Sequence, residues 1–230
     1  MGIQAGTKRQ IEDCINLHCE FRDKKKENHM DALITPMHKL SDYLKCITNK
    51  VNSEEIYLAY RDLAFQSEMI GWIEGAIIFY TEAIRLQKET PNDQGVDFVQ
   101  LLCKLANLYI KIGKYDDTIK CYKWAMANEQ KRAGDINPKV AKLLKNIAQV
   151  YWRAKKFESS LSSHNELLHM QEIMFGQENM DVARTCNNIG LAHLILKHYD
   201  KAMPCFFKAI CITSNLHQKN YSFYPRYIVI

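Results

Sequence analysis

Apolar residues in this chain recur at three- and four-residue intervals, stop at short polar breaks such as Lys-Ile-Gly-Lys at 111–114, and then resume. That spacing places the apolar side chains on one stripe of an α-helix, and each break marks a turn between two amphipathic helices. The pattern then repeats as a unit. The small residue after each break is Ala76, Thr118, Ser160 and Ala202, a constant step of 42 residues. Ala64, Ala106, Ala148 and Gly190 keep that step, as do Leu63, Leu105, Ile147 and Ile189 before them. Ile73, Tyr115, Phe157 and Tyr199 keep it too, and so do Ala83, Ala125, Leu167 and Ala209, where Leu167 alone is large.

A fixed period of this length is the sequence signature of a stacked array. Two antiparallel helices approach closely only where side chains are small, which accounts for Ala, Gly, Ser and Thr at the predicted crossing points. One hairpin cannot bury its apolar faces alone, so neighbouring hairpins stack into a superhelix. Hairpins are predicted at 53–90, 96–133, 138–175 and 179–217. Asn52 with Glu55 has capping-box spacing ahead of the first. Gly134 and Gly176 stand where C-terminal caps are expected, and Asn137 and Asn179 open the following segments in step.

These motifs resemble tetratricopeptide repeats, and the 42-residue period is similar to the longer variety of kinesin light chains. The matching residues are Asn187-Asn188-Ile-Gly, Gly113-Lys-Tyr115, Phe175-Gly176 and Met180-Asp-Val-Ala, over about residues 53–217. The resemblance implies an all-α fold, a right-handed superhelical solenoid of antiparallel helix pairs, with a concave groove lined by the first helix of each hairpin. The heptad coiled coil expected ahead of that family's repeats is absent here, so the chain is not read as a kinesin subunit.

Carrying the family register over, the groove-facing positions are Arg61, Phe65 and Met69 in the first unit and Cys103, Lys104 and Asn107 in the second. The third supplies Lys142, Lys145, Asn146, Gln149, Trp152 and Arg153, and the fourth Arg184, Asn187, Asn188 and Leu191. A carboxamide offers a donor and an acceptor together, which suits the main chain of an extended peptide. Lys and Arg dominate over acids, with Trp152 and Phe65 as aromatic platforms, so the expected ligand is an acidic linear peptide. Chaperone-binding members of the superfamily grip a C-terminal carboxylate with Lys, Asn, Asn, Lys and Arg. Asn107, Asn146 and Arg184 match three of those places, whereas Cys103 and Asn188 do not. The function expected is therefore a non-enzymatic protein-interaction adaptor. The alternative is a structural subunit of a larger assembly, cytoskeletal, motor or ciliary, acting through its ends or convex face.

Composition narrows the classes further. The chain has 230 residues, 47% apolar, with a net charge of +5, which is too mild for a nucleic-acid footprint. None of the 8 cysteines forms a CxxC pair, and no signal peptide opens the chain, so a reduced cytoplasmic setting is expected, with cytoskeletal association as an extension. No apolar run is long enough for a membrane span, and Asn220-Tyr-Ser222 is read as a chance glycosylation match. His164, Glu166 and His169 miss the zinc-protease spacing, because the histidines are five apart and Glu does not follow the first directly. Cys14, His18, Cys19 and His29 are weakly spaced for a metal, so neither catalysis nor a cofactor is expected. Residues 1–52 are read as a helical capping or docking segment. The tail 218–230 is apolar, ending in Tyr227, Ile228, Val229 and Ile230, and is compatible with folding back over the last hairpin, with binding a partner or a second copy, and with a chain cut short.

Overall fold

The computed structural model describes residues 53–89 and 96–222, with the side chains of 53, 55, 89, 96, 97 and 217–222 excepted. The segment 1–52, the Asn52–Glu55 cap, the Cys14/His18/Cys19/His29 group and the tail after Ser222 lie outside the described residues. The described residues form eight helices and no strand: α1 (Ser53–Met69), α2 (Ile73–Glu89), α3 (Val96–Lys111), α4 (Tyr115–Ala133), α5 (Pro138–Arg153), α6 (Phe157–Phe175), α7 (Met180–Ile195) and α8 (Tyr199–Ser222). The last helix continues five residues past 217, where the repeat spacing alone would have ended it. Two compact units part between Leu108 and Tyr109, inside α3.

In the first unit α1 and α2 pack as a hairpin, with Ala64 and Ala76 fully buried. Around them lie Tyr60, Phe79, Tyr80 and Ile84. The Trp72 ring meets Phe79 edge-on at 5.9 Å, closing the turn end. Tyr80 donates its hydroxyl to Glu68 at 3.1 Å, and Lys104 of α3 reaches the same carboxylate at 3.4 Å.

The second unit stacks α4 to α8 in chain order, each helix packed on the next. Its two core clusters correspond member for member. Val140, Ala141, Leu144, Leu167 and Met170 form one, with Met126 and Met174 against it. One period later stand Val182, Ala183, Cys186, Ala209 and Ile212, with Leu168 and Leu216 against them. The 42-residue step is thus a step in three-dimensional packing. The small-residue crossing has a polar tie as well: buried Ser160 donates its hydroxyl to the Ala148 carbonyl at 2.9 Å. Such a bond satisfies both groups away from water and fixes the register of α5 against α6.

Short motifs set the helix ends. Asn137 accepts from the backbone N–H groups of Lys139 and Val140, with Pro138 at the first helical position, and Asn179 accepts from Asp181. Gly134 and Gly176 end α4 and α6 at positive φ, each donating its N–H four residues back. Every hairpin turn has the same pair of bonds. In the third, Lys155 donates to the Trp152 carbonyl and Lys156 to Tyr151; in the fourth, Lys197 donates to Leu194 and His198 to His193. This is a Schellman end, whose pivotal residue takes the left-handed conformation. Gly71 and Gly113 occupy that pivot in the first two turns, whereas Lys155 (φ 58°) and Lys197 (φ 61°) occupy it in the last two.

Candidate peptide-binding face

The first helix of each hairpin turns one stripe into the core and leaves another exposed. In α5 the buried stripe is Val140, Ala141, Leu143, Leu144, Ile147, Ala148 and Val150. What remains is Lys142, Gln149 and Arg153, exposed, with Lys145, Asn146 and Trp152 half-buried. In α7 the buried stripe leaves Arg184, Asn187 and Leu191 exposed and Asn188 half-buried.

Charge is segregated within this unit. The sequence of α5 carries Lys139, Lys142, Lys145 and Arg153 and no acid. The only acid of α7 is Asp181, which Arg184 approaches at 3.4 Å on the exposed surface. By contrast α6 carries Glu158, Glu166 and Glu172 and neither Lys nor Arg. Lys139 is partly engaged, at 3.8 Å from the buried Glu129 that also pairs with Arg132. Lys142, Lys145 and Arg153 form no ion pair among the described residues. A face of unneutralised cations next to Asn and Gln donors can receive carboxylates through charge-assisted bonds. Trp152 stands at its turn end, held edge-on by Phe157 at 5.3 Å.

The first unit holds the other group of predicted residues, Arg61, Phe65, Cys103 and Asn107, and these are more self-engaged. Arg61 pairs with the adjacent Asp62 at 3.1 Å. Lys104 lies over the exposed Phe65 ring at 5.0 Å and within 5.8 Å of the Tyr80 ring while holding Glu68. Burial, then the Glu68 carboxylate, push the Tyr80 hydroxyl well above its ordinary range. Asn107 is exposed and Cys103 half-buried.

Sequence reasoning missed two features. Leu194 and Ile195 extend the exposed apolar edge beside Leu191, and the 3.6-residue period carries them there. The Glu68–Lys104–Tyr80 node joins residues far apart in sequence, and no spacing announces it. His164 is buried among the helices with its Nδ1 unpartnered, whereas His169 is exposed. Burial, then the nearby Lys145, push the His164 imidazole down to about 4. Among the described residues, no three His, Cys, Asp or Glu side chains gather as a metal-holding group, and no helix is long and apolar enough to cross a membrane.

An array of helix hairpins with an extended exposed face is a protein-binding scaffold. Residues 97–173 and 183–215 match two family profiles described as tetratricopeptide repeat. Those two stretches are thus of tetratricopeptide repeat type, and the fold of the described residues is all-α, built of helix hairpins. Comparison with curated proteins finds no match. Among solved structures, BtubC (BKLC) from P. vanneervenii is similar at 18% identity and a TM-score of 0.58, over 84% of this chain and 77% of that one. The nearly identical repeats of a kinesin light chain type protein of Podosopora anserina are similar at 12% identity and a TM-score of 0.60, over 85% and 92%. At these identities the likeness is one of fold.

Proposed function

We propose that the chain is an adaptor that binds an extended acidic peptide segment on the exposed face of its first helices. The face is centred on Lys142, Lys145, Asn146 and Gln149 of α5 and on Arg184, Asn187 and Asn188 of α7. The observation that carries this reading is the charge segregation: four cations and no acid on α5, beside an α6 whose charged residues are all Glu. The carboxamides pair with the peptide main chain, the cations select acidic side chains, and Trp152 and Leu191 offer apolar anchorage at the edges. Arg61, Phe65, Cys103 and Asn107 offer peptide contacts of their own within the first unit. The setting expected for such an adaptor is the cytoplasm.

The test compares the wild type with a Lys142→Glu/Arg184→Glu chain of unchanged helical content, on immobilised acidic and basic peptide libraries. Acidic peptides should bind the wild type, with affinity falling as salt rises, and should be lost by the double variant. Equal binding by both proteins, or a preference for basic peptides, would sink the reading.

A further inference from the structure

Between the second and third hairpin turns opens a cleft of about 470 Å³, walled by residues 113–117 on one side and 153–156 on the other. Both walls belong to the second unit. Each is shaped by its turn. The left-handed pivots, Gly113 in one turn and Lys155 in the other, reverse the chain sharply and leave the charged side chains beside them exposed.

Charge is unevenly engaged across this cleft. Its walls carry four cations, Lys114, Arg153, Lys155 and Lys156, against two carboxylates, Asp116 and Asp117, which leaves a net charge of +2. Both carboxylates are already held. Lys156 reaches across from the third turn to Asp116 at 2.6 Å, and Lys120 folds back to Asp117 at 3.1 Å. The Lys156 ammonium keeps the Asp116 carboxyl below its ordinary range. Lys114, Arg153 and Lys155 form no ion pair among the described residues. Like-signed charges along a concave wall reinforce one another's field and draw in an anion.

Charge, shape and position together narrow that anion. A phosphate monoester carries about −1.5 to −2 at neutral pH and so matches the walls better than a single carboxylate does. The Arg153 guanidinium is a planar fork that can pair two phosphoryl oxygens at once, while the lysines meet the third as point charges. One period on, the same position is Ile195, and the next turn lacks that fork. The cleft is roomier than a free anion needs and accommodates the side chain that bears it. Arg153 also ends the exposed stripe of α5 that includes Lys142, Lys145 and Gln149, so the cleft is continuous with the face assigned to the peptide.

We infer that this cleft takes the phosphorylated side chain of a serine or threonine in the peptide bound along α5, with Arg153, Lys114 and Lys155 on the phosphate. The inference rests on the acidic-peptide reading and adds a switch to it, in which phosphorylation of the partner tightens binding.

The probe is a set of degenerate acidic peptides, each made in serine, glutamate and phosphoserine versions and measured at constant salt. The wild type should bind phosphoserine peptides about tenfold more tightly than their serine versions, and glutamate should recover only part of that gain. Lys114→Glu/Lys155→Asn should lose the gain and keep serine-peptide binding. Its helical content should be unchanged, because both side chains are exposed and Asn accepts the left-handed backbone. Asp116→Asn should act in the opposite direction and raise phosphoserine affinity about threefold, the scale of one exposed charge pair. Lys197→Glu, one turn along, should leave the gain intact.

Acidic peptides bound by the wild type with no phosphoserine gain would overturn the inference and leave the acidic-peptide reading standing. Failure to bind any of the three versions would sink both. A gain that survives Lys114→Glu/Lys155→Asn, or that Lys197→Glu removes equally, would count against the cleft, as would weaker phosphoserine binding by Asp116→Asn. Phosphoinositide vesicles held by the wild type but not by Lys114→Glu/Lys155→Asn, without any phosphoserine gain, would assign the cleft to a membrane surface instead.

Discussion

At single residues, the 42-residue step exposes exceptions that composition hides. The pivot of every hairpin turn is left-handed, and Lys155 and Lys197 fill it where Gly71 and Gly113 fill it earlier. A Cβ in that conformation costs about 1–2 kcal/mol, against an entropic cost of about 0.4–1 kcal/mol for introducing Gly. Lys197→Gly should therefore stabilise the second unit by about 0.5–1 kcal/mol, read as a higher urea midpoint at unchanged slope. His164 is the opposite kind of exception, an imidazole where other repeats carry Tyr80, Tyr122 and Phe206. Its folded pKa of about 4 lies below the ordinary 6.5, so the unfolded chain binds the extra proton between those values. Stability from the neutral imidazole is full above pH 6.5 and is lost as pH falls towards 4, by on the order of 3 kcal/mol. Urea midpoints from pH 7 to 4 should show that slope in the wild type. The slope should be shallower in His164→Phe, and equal slopes in the two would refute the assignment.

Between elements, small residues decide how closely helices cross, as α7 against α8 shows. A Cβ built on Gly190 would stand 2.7 Å from the Phe206 ring, inside any tolerable contact. Helix propensity favours Ala over Gly by about 1 kcal/mol, but overpacking costs about 1–3 kcal/mol, and the half-buried ring can yield only part of the way. Gly190→Ala should thus destabilise by about 1–2 kcal/mol, in the opposite direction to propensity. A double-mutant cycle with Phe206→Ala checks the cause: additive effects would mean the ring is not responsible. The Ser160–Ala148 bond does the corresponding job between α5 and α6 by hydrogen bonding.

Across the molecule, the repeat separates two tasks. Core positions are copied at each period, as the two matched clusters show, while exposed positions diverge in charge from helix to helix. That divergence gives α5 its cations and α6 its acids, and it underlies the expected salt-sensitive loss of acidic peptides in Lys142→Glu/Arg184→Glu.

Period and residue size by themselves determined the fold class, because burying an amphipathic hairpin requires neighbours and close crossing requires Ala, Gly, Ser or Thr at fixed steps. The asparagine caps before α5 and α7 and the glycine ends of α4 and α6 were equally local, since a cap acts on its own helix within one turn. The tertiary structure alone decided which cations stay unpaired. Lys104 and Lys142 read alike along the chain, yet Lys104 is held by Glu68 from another helix while Lys142 is not. Ion pairing and burial depend on residues distant in sequence, and periodicity records only which face a side chain takes, not what meets it there.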